Sequence, residues 1–260
     1  MKERFIHTKP LIHCITNPIS INPCANAILA VGARPIMAEH PKEVKEITKT
    51  ADALLLNIGN ITDARMEAMP VSLREAAKKN IPVVLDIAGL ACSSLRKSFV
   101  NKLLREAVPT VIKGNYSEIF ALYNEEYRSS GVDADSSLDA QDAEKAAAFL
   151  AEKYNAVILA TGKEDIIAGG ERIVYIRNGT EQLSSVTGTG CMLGCLCAAF
   201  ITSLLPMEAV ISACVCLGVC GEMAETDKGN SSFMVNLMDA LSTLSDAEFE
   251  KYKNLEELYL

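Results

Sequence analysis

The sequence predicts an α/β protein in which one mostly parallel sheet carries helices on both faces, within a single domain over residues 1–260. Three observations lead there. Short apolar runs of strand length alternate with longer helical patterns, the sign of successive βαβ units. Four of those runs end on a polar residue: Asn57, Asp86, Lys113 and Thr161. Finally, 260 residues with 49% hydrophobic content can bury a substantial core, and no Gly/Ser-rich or Pro-rich linker divides them.

In chain order, the strands expected are 53–56, 82–85, 109–112 and 156–160, each an apolar run too short for a helix. Helical patterns fill 63–79, 95–106, 117–124 and 141–154. Residues 166–176, interrupted by Gly169 and Gly170, read as a β-hairpin at one edge of the sheet, glycine being suited to the tight turn. Beyond Gly190 the chain reads as almost entirely helical. The uncharged stretch 184–207 opens on Ser, Thr and Gly and contains Pro206, which leaves its apolar part short of the roughly 20 residues a membrane span needs. The next stretch, 209–221, is shorter still and runs into Glu222, Glu225 and Asp227. Two buried helices packed as a hairpin are expected, and no membrane contact.

A formal net charge of −8, spread along the chain, argues against a nucleic-acid partner, since phosphate backbones are held by clustered lysine and arginine. The acidic pairs Glu125-Glu126 and Glu256-Glu257 read as solvated faces. Nine cysteines, an odd number, lie mostly among apolar residues, and Met1-Lys2-Glu3-Arg4 leads into no apolar signal core. Reduced thiols in a cytoplasm are expected.

The most informative motif is Thr187-Gly188-Thr189-Gly190-Cys191, a glycine-spaced polar turn running into an apolar helix. Glycines let backbone approach a ligand, and free amides at a helix start attract anions, so Thr189, Gly190 and Cys191 form a candidate anion hole. At that helix start Cys191 is expected to have its thiol pKa lowered toward the thiolate. The plainer alternative is an ordinary turn before a buried cysteine.

Ligands of open α/β sheets bind outside the carboxyl ends of the strands, and four strands here bring an amide, an acid, a base and a hydroxyl to one rim. Glu118 lies one helical turn beyond Asn115, and with Asp86 it supplies the oxygen ligands magnesium prefers, leaving waters and phosphates to complete the shell. A metal nucleotide fits, and Lys113 with the amides near Gly188 to Cys191 adds the neutralisation that phosphoryl transfer needs. No P-loop is present. Gly188 and Gly190 echo part of a dinucleotide fingerprint, but too late in the chain and without its third glycine. Three histidines, His7, His13 and His40, and no nucleophile elbow make a serine hydrolase a poor fit. Cys191, Cys195 and Cys197 mirror Cys214, Cys216 and Cys220, but on helices rather than the tight loops that usually present thiolates to zinc or iron–sulfur clusters.

A family resemblance covers nearly the whole chain. Pro10 to Asn17, then Asn22, Ala25-Asn26 and Gly32 to Ala38, strongly resemble the opening of hydroxyethylthiazole kinases. So do Leu56 to Gly59, Val111 to Asn115 with Glu118, Thr161-Gly162, Val186 to Cys191, and Lys228-Gly229 with Ser232-Phe233. The resemblance implies a ribokinase-like three-layer sandwich that moves the γ-phosphate of ATP to the hydroxyl of hydroxyethylthiazole, a step of thiamine salvage. It implies that Met37 and Gly188 contact the thiazole alcohol with Asn22 nearby, that Lys113 and Thr161 hold ATP, and that Asp86 and Glu118 hold magnesium. Cys191 takes the place where related sugar kinases carry an aspartate base. A homotrimer with active sites shared between subunits is implied as well.

Several positions depart from the family pattern. Lys113 stands where arginine is usual, keeping the charge but losing the planar fork. Asp86-Ile87-Ala88-Gly89 replaces Asp-Pro-Val-Gly, and loss of the proline is expected to relax the turn beside the metal ligand. Asn230 replaces a proline after Lys228-Gly229. Two rivals stay open at this point: a kinase of another alcohol such as a hydroxymethylpyrimidine, and a thiazole-binding protein that has lost catalysis. Read without the family, Met37 is core, and Asn22 and Asn26 cap or face a helix.

Overall fold

The alternation of apolar runs and helical patterns folds into one nine-stranded sheet with the order β2-β1-β3-β4-β5-β6-β7-β8-β9. A computed structural model describes residues 6, 8–124, 126–127 and 139–259; Met1 to Arg4, His7 and Glu125 lie outside the described residues. The first half contains β1 (Leu11–Ile15), α1 (Ile21–Ala30), β2 (Arg34–Ile36), α2 (Val44–Thr50), β3 (Ala53–Asn57), α3 (Asp63–Lys79), β4 (Val83–Asp86), α4 (Ser94–Glu106), β5 (Val111–Asn115) and α5 (Tyr116–Tyr123). There follow α6 (Ala140–Tyr154), β6 (Val157–Thr161), β7 (Asp165–Gly169), β8 (Arg172–Ile176), α7 (Thr189–Phe200), α8 (Pro206–Ala224), α9 (Asn230–Thr243), α10 (Asp246–Tyr252) and β9 (Leu255–Tyr259). Neighbours from β2 to β6 pair parallel, and those from β6 to β9 antiparallel.

Residues alternate across the strands, so the central strands β3 to β6 feed two cores. Leu55, Val84, Val111 and Leu159 pack against α1, α7, α8 and α9. Leu54, Leu56, Leu85 and Ile112 pack against α3 to α6 on the other face. This gives the three layers expected. Helix α3 has the bounds its pattern predicts, because Thr62 accepts from the Arg65 N–H at its start and Asn80 adopts the left-handed conformation that ends it.

Three strands escape the sequence reading: β1, β2 and β9. β2 is three residues long with Pro35 inside it, and β9 is largely exposed, so neither shows a buried apolar run. The hairpin β7–β8 forms as expected but is not the edge, because β9 pairs outside it. Glu256 and Glu257 are therefore not simply solvated; they pair with Arg177 and Arg172. Strand β5 also runs on to Asn115, which puts Lys113 inside the strand rather than at its end.

Helices α7 and α8 form the apolar hairpin expected. α8 is longer than the 209–221 read from sequence: at 19 residues it is apolar enough by length and composition to cross a membrane, but 78% of that window is buried within the fold. Core burial accounts for its composition. At Gly218 an added methyl would lie 2.6–2.8 Å from Asn178, including its backbone. Gly218→Ala is expected to cost about 1–3 kcal/mol, as overpacking does. A lowered thermal unfolding midpoint checks it; an unchanged one contradicts it.

Candidate active site

Parallel register puts Asn57 beside Asp86 and Asp86 beside Lys113 on adjacent strands, so their side chains share the face covered by α7. The three form one bonded row. Asp86 Oδ2 accepts from Asn57 Nδ2 at 2.9 Å and from Lys113 Nζ at 3.1 Å. Asp86 is 1% exposed and Lys113 5%. Burial alone would lower the lysine pKa, but the charges of Asp86 and Glu118 outweigh it and raise it, so Lys113 stays charged. Its ion-pair partner is Asp86, inside the fold.

Helix α7 begins over this row. Gly188 stands before it in the left-handed region, φ 101°, and no side chain caps the helix start. The amides of the first turn are thereby left for an anion. A methyl at Gly190 would lie 3.6 Å from Lys113 Nζ, and one at Gly194 3.6 Å from Asp86 Oδ2 and 3.2 Å from Leu55 Cδ1, so the helix start runs within contact distance of the charged row. The Thr189 hydroxyl faces away, donating to the Leu183 carbonyl at 2.8 Å, so its contribution to an anion hole is its backbone. Asn230 braces the preceding loop by donating to the Ser185 carbonyl at 2.8 Å, a contact the usual proline lacks.

Cys191 closes the row. Its Sγ accepts from Asn57 Nδ2 at 3.3 Å and from Asn17 Nδ2 at 3.2 Å. Both amides are locked: the Gly59 N–H donates to Asn57 Oδ1 at 2.8 Å, and the Ser20 N–H to Asn17 Oδ1 at 3.1 Å. The expectation of a lowered thiol pKa is corrected, because burial, then the Asp86 charge, pushes Cys191 up. The sulfur is held as a neutral thiol between two donors. In the sequence Asn17 stands out only as the last residue of the family motif Pro10 to Asn17. Its signal was nonetheless present, since it follows the apolar run of β1 just as Asn57 closes β3.

Glu118 starts α5 in a reciprocal cap with Asn115: its N–H donates to Asn115 Oδ1 at 2.9 Å, and the Asn115 N–H to Glu118 Oε2 at 2.7 Å. Its other oxygen accepts from the Gly89 N–H at 2.6 Å. Burial first, then Asp86, pushes this carboxyl up to about 7 against the backbone donors that favour its charge. The loop without its proline is not relaxed. The Ile87 N–H, which a proline would lack, donates to the Lys113 carbonyl at 2.8 Å, and Arg96 donates to the carbonyls of Ala88 at 3.3 Å and Gly59 at 2.7 Å. Asp86 Oδ1 is buried without a hydrogen-bond partner. That orphaned oxygen beside a second carboxyl fits magnesium, which takes one or two carboxylates and keeps its waters. Among the described residues no group of three or more His, Cys, Asp or Glu is arranged to hold a metal, and all nine cysteines are free thiols.

Thr161 ends β6 beside Asn115 and donates its hydroxyl to the Gly114 carbonyl at 3.3 Å. Met37 is half-buried and packs on the same core as Cys191. Asn22 is exposed on α1 and accepts from Asn26 at 3.0 Å, so it is not brought to the thiol. His13, fully buried in β1, sets Nε2 2.9 Å from the Ala38 carbonyl and Nδ1 2.9 Å from Thr48 Oγ1. A carbonyl only accepts, so Nε2 carries the proton; the Thr48 hydroxyl lies against Nδ1 while donating its own proton to the Val44 carbonyl at 2.7 Å.

Burial lowers the His13 pKa against the opposing Ala38 bond and the Glu43 charge. A histidine with its folded pKa below the unfolded value stabilises fully above about pH 6.5, and that contribution is lost as pH falls through the folded pKa. The thermal midpoint is expected to drop less between pH 7 and 5.5 in His13→Gln than in the unaltered chain; parallel profiles contradict it.

A sequence model of the Hydroxyethylthiazole kinase family matches residues 3–247. Hydroxyethylthiazole kinase 2 of Clostridium botulinum (strain Kyoto / Type A2) is 45% identical over 243 residues, 92% of each chain. The solved hydroxyethylthiazole kinase protein of Pyrococcus horikoshii OT3 superposes with a TM-score of 0.90 at 33% identity, covering 99% of this chain and 97% of that one. A pyridoxal kinase from Staphylococcus aureus, solved with AMP-PCP and pyridoxal, shares the ribokinase-like fold at a TM-score of 0.68 and 13% identity, over 98% of this chain and 100% of that one.

Proposed function

The chain belongs to the hydroxyethylthiazole kinase family, and from that premise we propose how its own residues move the γ-phosphate of ATP to the hydroxyl of hydroxyethylthiazole. The carrying observation is the Asn57–Asp86–Lys113 row closed by Cys191 under an uncapped helix start. The amides of Thr189, Gly190 and Cys191 receive the γ-phosphate, and the Lys113 ammonium beside Gly190 neutralises charge developing there. Thr161, at the end of β6, and Lys113, within β5, hold ATP. Asp86 and Glu118 would hold magnesium, which when bound would neutralise phosphate charge. Met37 and Gly188 contact the alcohol.

Cys191 positions the alcohol rather than taking its proton. A neutral thiol whose sulfur already accepts two amide N–H groups is a poor base, so alignment carries most of the acceleration. Cys191→Ala is expected to lower kcat by about tenfold, below the hundredfold or more of a lost general base, with the shape of the kcat pH profile retained. Loss of a limb of that profile together with a larger fall in kcat contradicts it.

The thiazole is preferred over a hydroxymethylpyrimidine, and comparing kcat/KM on the two alcohols tests the substrate. Equal or reversed values contradict it. We place the site at a boundary of a homotrimer; the exposed apolar residues Ile19 and Leu29, 67% and 52% exposed beside α1, support this. Asn22 would reach the alcohol only across that boundary. Nine free thiols support a reducing cytoplasm.

A further inference from the structure

Between β2 and α2 the chain passes through Met37, Ala38, Glu39 and His40 without regular structure. Irregular segments are ordinarily the variable parts of a fold. This one is held from two sides by buried groups. From the sheet, His13 donates from Nε2 to the Ala38 carbonyl at 2.9 Å, with its Nδ1 2.9 Å from the Thr48 hydroxyl oxygen. From α3, the Arg65 side chain, 4% exposed, donates through Nε and Nη2 to Glu39 Oε2 at 2.8 and 2.6 Å. The same guanidinium donates to the Asn60 carbonyl at 3.0 Å. Asn60 lies in the loop that leaves β3 just after Asn57 and Gly59. One buried cation thus ties the segment carrying Met37 to the loop that follows the Asn57 amide.

We infer that His13 and Arg65 are positioning residues for the acceptor alcohol: by fixing Met37 relative to the Asn57 loop, they set which heterocyclic alcohols the site accepts. The inference rests on Met37 contacting the alcohol. The Arg65 guanidinium, removed from water, strongly favours keeping its carboxylate partner, so it holds Glu39, whose side chain is 41% exposed, by Oε2. The imidazole, bonded at both nitrogens, gives Ala38 one placement. Met37 precedes these two anchors directly and inherits their position. A wall so fixed discriminates by size, where one methylene changes turnover by about 10–200-fold.

Kinetics with the alcohol and ATP varied separately test this in His13→Leu, His13→Gln, Arg65→Lys and Glu39→Gln. Glutamine at position 13 offers an amide N–H for the Ala38 carbonyl, whereas leucine fills space without one. His13→Leu is expected to raise the KM for the alcohol about tenfold, with KM for ATP and kcat changing less than about threefold. His13→Gln restores the alcohol KM, and Arg65→Lys behaves like His13→Leu because lysine lacks the fork. Equal changes in both KM values, or identical behaviour of the leucine and glutamine variants, overturn the inference. Should His13→Leu fail to fold, Arg65→Lys and Glu39→Gln make the same comparison. The unaltered chain is assayed first, so failure of the thiazole reading appears there. The Met37 methyl NMR signal, assigned through Met37→Leu, then decides: displaced in His13→Leu and kept in His13→Gln supports the inference, and unmoved in His13→Leu overturns it.

Discussion

Lys113→Met is expected to lower kcat by about a hundredfold to a thousandfold, the loss seen when a group aimed at developing charge is removed. The KM for the alcohol should change far less, because the ammonium faces the helix start where the phosphate is received. Methionine fills the space, so the variant isolates the charge. It also leaves Asp86 buried without its cation, and breaking such a pair costs about 3–5 kcal/mol. Turnover is therefore measured below the variant's own unfolding midpoint. Lys113→Arg keeps the charge in a different shape and should retain a substantial part of the rate. A kcat for Lys113→Met within tenfold of the unaltered chain contradicts the neutralising role.

The second large effect is on metal dependence. Asp86→Asn keeps the size of the side chain and can still accept from Asn57 and Lys113. It removes the charge on a carboxylate whose Oδ1 is buried without a partner. The magnesium concentration for half-maximal rate is expected to rise by at least tenfold, the lower end of what disturbing even an outer-shell group costs. Glu118→Gln should have a smaller effect, since both Glu118 oxygens already accept backbone N–H groups. A magnesium curve unchanged in Asp86→Asn removes it as a ligand.

Much of this site is legible in sequence because a parallel sheet delivers strand ends to one rim. Asn57, Asp86 and Thr161 stand at the ends of their strands, as their apolar runs announce. What sequence does not carry is depth. Cys191 reads as an activated thiol at a helix start, yet burial and a neighbouring carboxylate reverse its pKa. Glu118 reads as an open metal ligand, yet it is occupied in capping its own helix and tethering Gly89. The turn at Ile87 reads as relaxed because a missing proline is visible in a sequence, while the hydrogen bond its N–H makes to Lys113 is not. Asn22 and Asn17 differ in the same way: both sit near the start of α1, but only Asn17, two residues past β1, turns inward.

Transfer of the γ-phosphate itself is the most direct test. ATP labelled at the γ-phosphorus is incubated with magnesium, hydroxyethylthiazole and the protein, and the label is followed into products separated by mass. Label appearing in thiazole phosphate, in step with ADP and dependent on the alcohol, is the result expected if the row and the helix start deliver phosphate to a held hydroxyl. Label appearing as inorganic phosphate at a rate indifferent to the thiazole, or remaining in ATP while the thiazole binds, contradicts it.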